Sequence, residues 1–548
     1  MTRHPARGVA AVVALAVLAY PGVSAAATAE PAESQASVRL DPRRMVGGGS
    51  VPAHFVGFSI EWSLIERYMG PDARPAFVNL LRNLDTGVLR IGGSSQDVMQ
   101  FDANASNTNE VITPEDLADI RATLDAANAD GRDTPRWGVT LGTAMAPATA
   151  GRPWRGPEHA RAFVTQGVRP AFSGADDYVA AVSLGNEPDL SYGYDLPEYL
   201  SDFAAYSGAD VTGPYPLVTP NTSEPIAPWQ SIADGSVETR FFGDWPAILD
   251  ATAGPTKAKA GSFGPWAADH FYPLARTCAS DPYRCPTIAA LLSDERLDNF
   301  TYQVHTHADE AARHGLAYRV EELNTTAGRG AHGVSDVAAS ALWALDAMFN
   351  AACPRPPHAP SVNAECGTGA VGVNFHNAEV RAFSHPEEGN GYYNTVNFDP
   401  SPAMGSPTPA PEYYALLLFS RFAQGTTGLR SVPVNVNAPP GGQVKAWRVD
   451  GAASERRLFL INKGDRQASV DVAAPGRTYQ LDRMTPDDPS GAGRTLDAPG
   501  VRIDGRVVAP DGSWPGFQPT TGTTTAGHVR ITLGTGEAVV LTMHGHDA

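Results

Sequence analysis

The sequence predicts an α/β fold, a (β/α)8 barrel followed by a β-sandwich, and three observations lead there. Between Phe55 and about Gly425 a short β-branched run, a loop rich in Gly, Asn or Pro, and an amphipathic helix recur in that order. The unit occurs eight times in about 370 residues, which suits a closed barrel better than an open sheet of about five to seven strands. Past Thr426 the pattern changes to short alternating runs separated by Gly, Pro and Asp turns, the pattern of a sandwich. A doubly wound open sheet is the alternative if one of the eight strands is false.

The chain opens with Arg3, His4 and Arg7 ahead of an apolar run, then small residues reaching Val23-Ser24-Ala25, so residues 1–27 read as a signal peptide and the mature protein as secreted. Residues 28–50 form an N-terminal segment in which 37–40 is expected to add an edge strand to the β-domain. The barrel is assigned to 51–425, with strands at 55–62, 88–93, 136–142, 179–187, 217–222, 267–273, 318–324 and 370–377. Helices are expected at 114–129, 196–207, 334–351 and 412–423 among others. The sandwich is assigned to 426–548, with runs at 431–436, 457–461, 469–472, 529–533 and 538–543.

Four cysteines are an even set, and two short loops suggest the pairs Cys278–Cys285 and Cys353–Cys366. None has the C-x-x-C spacing of a zinc or redox site. A formal charge of -18 argues against nucleic acid or an acidic membrane as partner. No metal or organic cofactor is expected.

The chemistry concentrates at two strand ends. Ser183-Leu184-Gly185-Asn186-Glu187-Pro188-Asp189 closes the fourth predicted strand and Tyr318-Arg319-Val320-Glu321-Glu322-Leu323-Asn324 the seventh. In a barrel those ends share one mouth, where active sites lie. A carboxyl at Glu187 can protonate a leaving-group oxygen while a carboxylate at 322 attacks an anomeric carbon, an arrangement that retaining glycosidases need at about 5–5.5 Å. Strand alternation sends Glu321 and Glu322 to opposite faces. Only one of them should point in; Glu322-Leu323-Asn324 resembles the Glu-x-Asn ending of related enzymes, which favours Glu322 and leaves Glu321 to face the helices or make an ion pair.

Six ordered peptides then resemble the β-glucuronidase and heparanase group, glycoside hydrolase family 79: Phe55-Val56-Gly57-Phe58-Ser59-Ile60-Glu61, Leu89-Arg90-Ile91-Gly92-Gly93, Gly185-Asn186-Glu187-Pro188-Asp189, Glu322-Leu323-Asn324, Gly333-Val334-Ser335-Asp336 with Ala341-Leu342-Trp343-Ala344, and Gly372-Val373-Asn374-Phe375-His376. The resemblance implies Glu187 as acid/base, Glu322 as nucleophile, Asn186 as partner of the sugar 2-hydroxyl and Glu61 as a hydroxyl ligand. His270, Tyr272, Asn374, His376 and Tyr392 are further candidates for contact with a carbohydrate substrate, with Arg90 and Asn324 in support. His305 and His307 suggest a metal pair less well than packing, since no third ligand accompanies them.

The sequence departs from that family after His376. Bacterial members hold the sugar carboxylate with a glycine-rich loop and a tyrosine, whereas here Asn377-Ala378-Glu379-Val380-Arg381 follows. Glu379 would repel a uronate unless Arg381 compensates. The leading expectation is exo-acting β-glucuronide hydrolysis, beside a clan relative for neutral β-glucosides, β-xylosides or arabinosides, and beside a silent carbohydrate-binding protein.

Overall fold

The computed structural model describes residues 34–39 and 48–544, apart from 107–110, 131–133, 224–227, 234–240, 258–260, 280, 356–365, 380–388, 402–404, 433, 438–442, 452–454, 475–477 and 491–494. The proposed signal peptide and Arg381 lie outside the described residues.

Eight parallel strands close a barrel in chain order: Gly57–Glu61, Gly87–Gly92, Trp137–Thr143, Val179–Leu184, Leu217–Thr222, Trp266–Phe271, Ala317–Leu323 and Gly372–Asn377. These are the eight expected strands, shifted by a few residues at their ends. Each is buried along nearly its whole length, as strands covered on one side by helices and on the other by barrel filling must be. The helix at Pro114–Ala127 starts where the sequence says it should: Thr113 accepts from the amide of Asp116 while Asp116 reaches back, a reciprocal cap.

The helix Ala338–Ala352 is buried at every position, and the β-rich part of the chain explains why. One antiparallel sheet runs Gly49–Val51, Thr426–Val432, Val444–Asp450, Arg456–Asn462, Ala538–His544, Thr478–Asp487 and Gly500–Ile503, with Thr520–Thr523 paired to Thr478–Asp487. Its alternating side chains serve two cores. Phe459, Ile461, Trp447 and Val540 join the barrel core, where Phe349 packs on Trp447 and Phe459 with ring centroids at 5.3 and 4.7 Å. Leu458, Leu460, Val539 and Leu541 face the second sheet and close a separate core with Val470, Val472, Ile531 and Leu533.

That second sheet has the order Val434–Asn437, Ser34–Arg39, Ala468–Ala473, His528–Leu533. The N-terminal strand is therefore interior and not at an edge: it pairs antiparallel with Val434–Asn437 and parallel with Ala468–Ala473. Both disulfides, Cys278–Cys285 and Cys353–Cys366, are formed as expected. Among the described residues, no helix is long and apolar enough to cross a membrane.

Candidate active site

Glu187 and Glu322 meet at the carboxyl end of the barrel. Glu187 follows the fourth strand in a left-handed conformation, φ 49°, after Gly185 at φ 73°. Left-handed backbone is disfavoured for a side chain as large as glutamate, so surrounding bonds must hold it. Its amide donates to Asn221 O at 2.9 Å, and its Oε1 lies 2.9 Å from His270 Nδ1.

Glu322 accepts from Arg90 Nη1 and from the Tyr272 hydroxyl, both at 2.6 Å. Burial pushes its carboxyl up. The charges of His376, His270 and Arg90 and the Tyr272 hydrogen bond outweigh this and hold it well below the ordinary carboxylate range. Opposite shifts appear on its partners: His270 is raised, its burial overcome by Glu322 and Glu187, and the Tyr272 phenol is pushed well up by burial and the neighbouring Glu322 charge. A carboxylate oxygen of Glu187, one of Glu322 and a nitrogen of His270 all lie within 4.8 Å of one another. A divalent cation could bridge that spacing, but the Arg90 guanidinium occupies the same neighbourhood and opposes one.

Both glutamates of the seventh strand point into the barrel, contrary to the alternation argument. Along the sixth strand Asp269 pairs with Val320 but the next residue, His270, pairs with Glu322, so Glu321 is skipped as a bulge. Glu321 Oε1 accepts from Thr140 on the diametrically opposite third strand and from Trp266 Nε1, at 3.1 and 2.9 Å. It thus fills the barrel below the mouth and makes no direct ion pair among the described residues.

Arg90 is fully buried and joins three strands: Ser59 Oγ at 3.1 Å, Glu322 Oε2, and Asn186 Oδ1 at 2.6 Å. The side-chain nitrogen of Asn186, Nδ2, has no hydrogen-bond partner among the described residues, whereas its backbone amide donates to Asp97. Glu61 accepts from the amides of Ser94 and Ser95 at 3.2 and 2.7 Å, and His376 sits between it and Glu322, at 3.5 and 3.7 Å. Burial pushes the Glu61 carboxyl up, and hydrogen bonds and charge from His376 with the Ser95 bond bring it below its usual value. Gly93, at φ 69°, is required here twice over: a Cβ would stand 2.5 Å from the Glu61 carboxyl carbon. Asn324 donates to His376 O and Tyr393 O at 3.0 and 2.9 Å and so ties the end of the eighth strand to the loop that carries Tyr393.

Two expected substrate contacts fall elsewhere. Asn374 is deep in the barrel wall, donating to Phe58 O and Val88 O and accepting from Arg319 Nε at 2.6 Å, with no group left for a ligand. Tyr392 turns outward beside Arg276 and His332, while Tyr393 takes the inward place, its ring 6.0 Å from Tyr272 and 5.9 Å from His376. The Tyr392–Tyr393 pair lies in a loop with no periodicity to say which faces in. The histidine pair is structural: His307 is buried against Asp269 and stacked on Trp245, and His305 pairs with Asp309 along its helix.

A parallel eight-strand barrel with an attached β-rich domain, carrying two glutamates across its mouth, defines the class of this protein by architecture. No protein-family model matches the sequence, and no curated protein does. Solved structures share the fold. A 4-O-α-L-rhamnosyl-β-D-glucuronidase from Fusarium oxysporum 12S, in complex with Rha-GlcA, is 15% identical with a TM-score of 0.65, covering 92% of this chain and 100% of its own. A family 51 α-L-arabinofuranosidase from Bifidobacterium longum is 14% identical with a TM-score of 0.59, covering 94% and 100%. A GH51 arabinofuranosidase from Xanthomonas axonopodis pv. citri is 13% identical with a TM-score of 0.57, covering 93% and 100%.

Proposed function

We propose that the protein is a secreted retaining β-glycosidase that releases terminal sugars, with β-glucuronides as its substrates. The observation that carries this reading is the approach of Glu187 and Glu322 oxygens to within 4.8 Å, short of the roughly 6.5–9.5 Å that an inverting enzyme leaves for its water. Glu322, held anionic by Arg90 and Tyr272, attacks the anomeric carbon, and its carboxylate becomes an ester. Glu187 gives its proton to the departing oxygen, then takes one from the water that breaks the ester. His270 Nδ1 keeps the Glu187 carboxyl in place throughout, and the side-chain nitrogen of Asn186 meets the sugar 2-hydroxyl. The two disulfides suit an oxidising, extracellular setting.

The uronide is supported by the fold of the rhamnosyl-glucuronidase and by Arg329. This residue follows the seventh strand at φ 74°, donates from Nε to Glu379 O at 2.6 Å, and brings its charge to bear on the Tyr393 phenol. It is placed to oppose the repulsion expected from Glu379. The neutral-sugar reading is favoured by Glu379 itself standing at that rim, and the arabinofuranosidase folds suit it equally.

Hydrolysis of p-nitrophenyl β-D-glucuronide beside the β-D-glucoside, β-D-xyloside and α-L-arabinofuranoside separates these readings. Glucuronide turnover is expected, lost in both Glu187→Gln and Glu322→Gln. Arg329→Gln is expected to lower kcat/KM on the glucuronide by roughly 10- to 100-fold, the worth of one hydrogen bond to a charged group, with little change on a neutral sugar. Turnover of a neutral sugar alone would overturn the uronide, and none on any sugar would favour a binding protein. Tyr272→Phe removes a hydrogen bond from the Glu322 anion, so the loss of kcat/KM at the strongly acidic end of the profile, where Glu322 takes up its proton, is expected to begin at higher pH.

A further inference from the structure

The strained turn that carries Glu187 needs an anchor, and one lies outside the pair of glutamates. Asp97, at the end of the short helix Gly93–Asp97 after the second strand, is 1% exposed. Its Oδ2 accepts from the amide of Asn186 at 2.8 Å, and its Oδ1 from the amide of Met145 at 3.3 Å. The Tyr192 phenol, from the loop after the fourth strand, faces the same carboxyl. Arg155 in turn clamps the Asp97 backbone, its Nε and Nη2 donating to the carbonyl at 2.9 and 2.5 Å. Gly185 and Glu187 on either side of Asn186 are both left-handed; their amides bond to Thr143 O and Asn221 O, and the Asn186 amide between them is pinned by the Asp97 carboxylate.

We infer that Asp97, as a carboxylate, is the positioning residue that fixes the Asn186–Glu187 turn, so that turnover requires its ionised form. The inference rests on the glycosidase reading for its rate consequence, but not for its structural one. Two backbone amides converge on the two oxygens of Asp97, one on each. A protonated Asp97 would aim its own O–H among those donors and release one of them. The groups facing it are the phenols of Tyr192, Tyr194 and Tyr206, all pushed up by burial and so neutral, and the Arg155 guanidinium. Burial raises the Asp97 carboxyl to about 7 against the hydrogen bonds of Asn186 and Met145, the Tyr192 phenol and the charge of Arg155. The switch therefore falls near neutrality: below about pH 7 the anchor is protonated and the turn loosens.

The sign for folding is the reverse. A carboxyl raised above its unfolded value favours the folded state while protonated, and ionising it as pH rises through about 7 subtracts stability. Asp97→Asn abolishes that buried charge, so it is expected to lose activity without a lowered thermal midpoint at pH 8.

The test combines pH–rate profiles with amide hydrogen exchange of the segment 183–191 in the full chain, for wild type, Asp97→Asn and Asp97→Glu. In Asp97→Asn, kcat is expected to fall about tenfold or more, on the scale of a lost hydrogen bond to a charged group, with KM little changed. The acidic limb near neutrality should vanish, and the segment should exchange faster at pH 8. Asp97→Glu should keep a titrating limb and recover part of the rate. Unchanged exchange in Asp97→Asn would overturn the anchor, whatever the substrate. Faster exchange with kcat and its acidic limb intact, or a rate that falls only in step with the thermal midpoint, would overturn the positioning role. A wild type inactive on every sugar would sink the glycosidase reading instead, and exchange would still decide whether Asp97 holds the turn.

Discussion

Glu322→Ala is expected to lower kcat by about 10⁴-fold or more, because it removes the attacking atom and not merely a contact in the transition state. Its geometry says why no neighbour can substitute. Glu321 is turned toward Thr140 and Trp266 below the mouth, and Glu61 is held by the amides of Ser94 and Ser95. Added azide should distinguish the two carboxylates. In Glu322→Ala it would enter the space left by the side chain and yield the inverted glycosyl azide. In Glu187→Ala it would intercept the glycosyl-enzyme and yield the retained one. Product configuration is read by proton magnetic resonance, and the same anomer from both variants would refute the assignment of roles.

The second large effect concerns the joint between barrel and β-domain. Asp346, fully buried on the helix Ala338–Ala352, receives Lys463 Nζ at 2.9 Å and Lys445 Nζ at 3.0 Å, and Trp447 Nε1 at 3.2 Å. Asp294 at the start of the helix Asp294–Arg313 shares both lysines, at 2.7 and 2.9 Å. Asp346→Ala leaves the buried Lys463 and the partly buried Lys445 with only the solvent-facing Asp294, and is expected to cost about 3 kcal/mol of unfolding free energy. Burial pushes the Asp346 carboxyl up, but Lys445 and Lys463 bring it below its ordinary value. A depressed carboxylate contributes stability above its unfolded pKa and loses it as pH falls through the folded one. The difference between variant and wild type in chemical denaturation should therefore be full at neutral pH and shrink in strong acid. An unchanged midpoint would show that the cluster contributes nothing net.

The barrel was legible because each of its strands is a short apolar run with a helix behind it, and because Asn186-Glu187-Pro188 and Glu322-Leu323-Asn324 mark strand ends. Period-two reasoning failed at Glu321, where a skipped residue breaks the alternation: a bulge depends on neighbouring strands and leaves no local trace. It failed at Asn374 for a related reason. A polar residue on a barrel strand can face the ligand or hydrogen-bond the wall, and only Arg319 and the carbonyls of Phe58 and Val88 decide which. Asp97 gave no signal at all, since its partners are backbone amides from two distant loops. In the β-rich part the strands were visible as alternation, but the order was not. The place of Ser34–Arg39 between Val434–Asn437 and Ala468–Ala473 comes from pairing across some 400 residues.

That strand imposes a timetable on the molecule. Synthesis proceeds from the N-terminus, so residues 34–39 emerge early, yet both of their neighbours, at 434–437 and 468–473, emerge late. Until then the segment has no hydrogen-bonding partners, and the barrel that follows it in sequence can close without it. Completion of the four-stranded sheet is thus among the last acts of assembly, a seam between an early stretch of chain and three late ones.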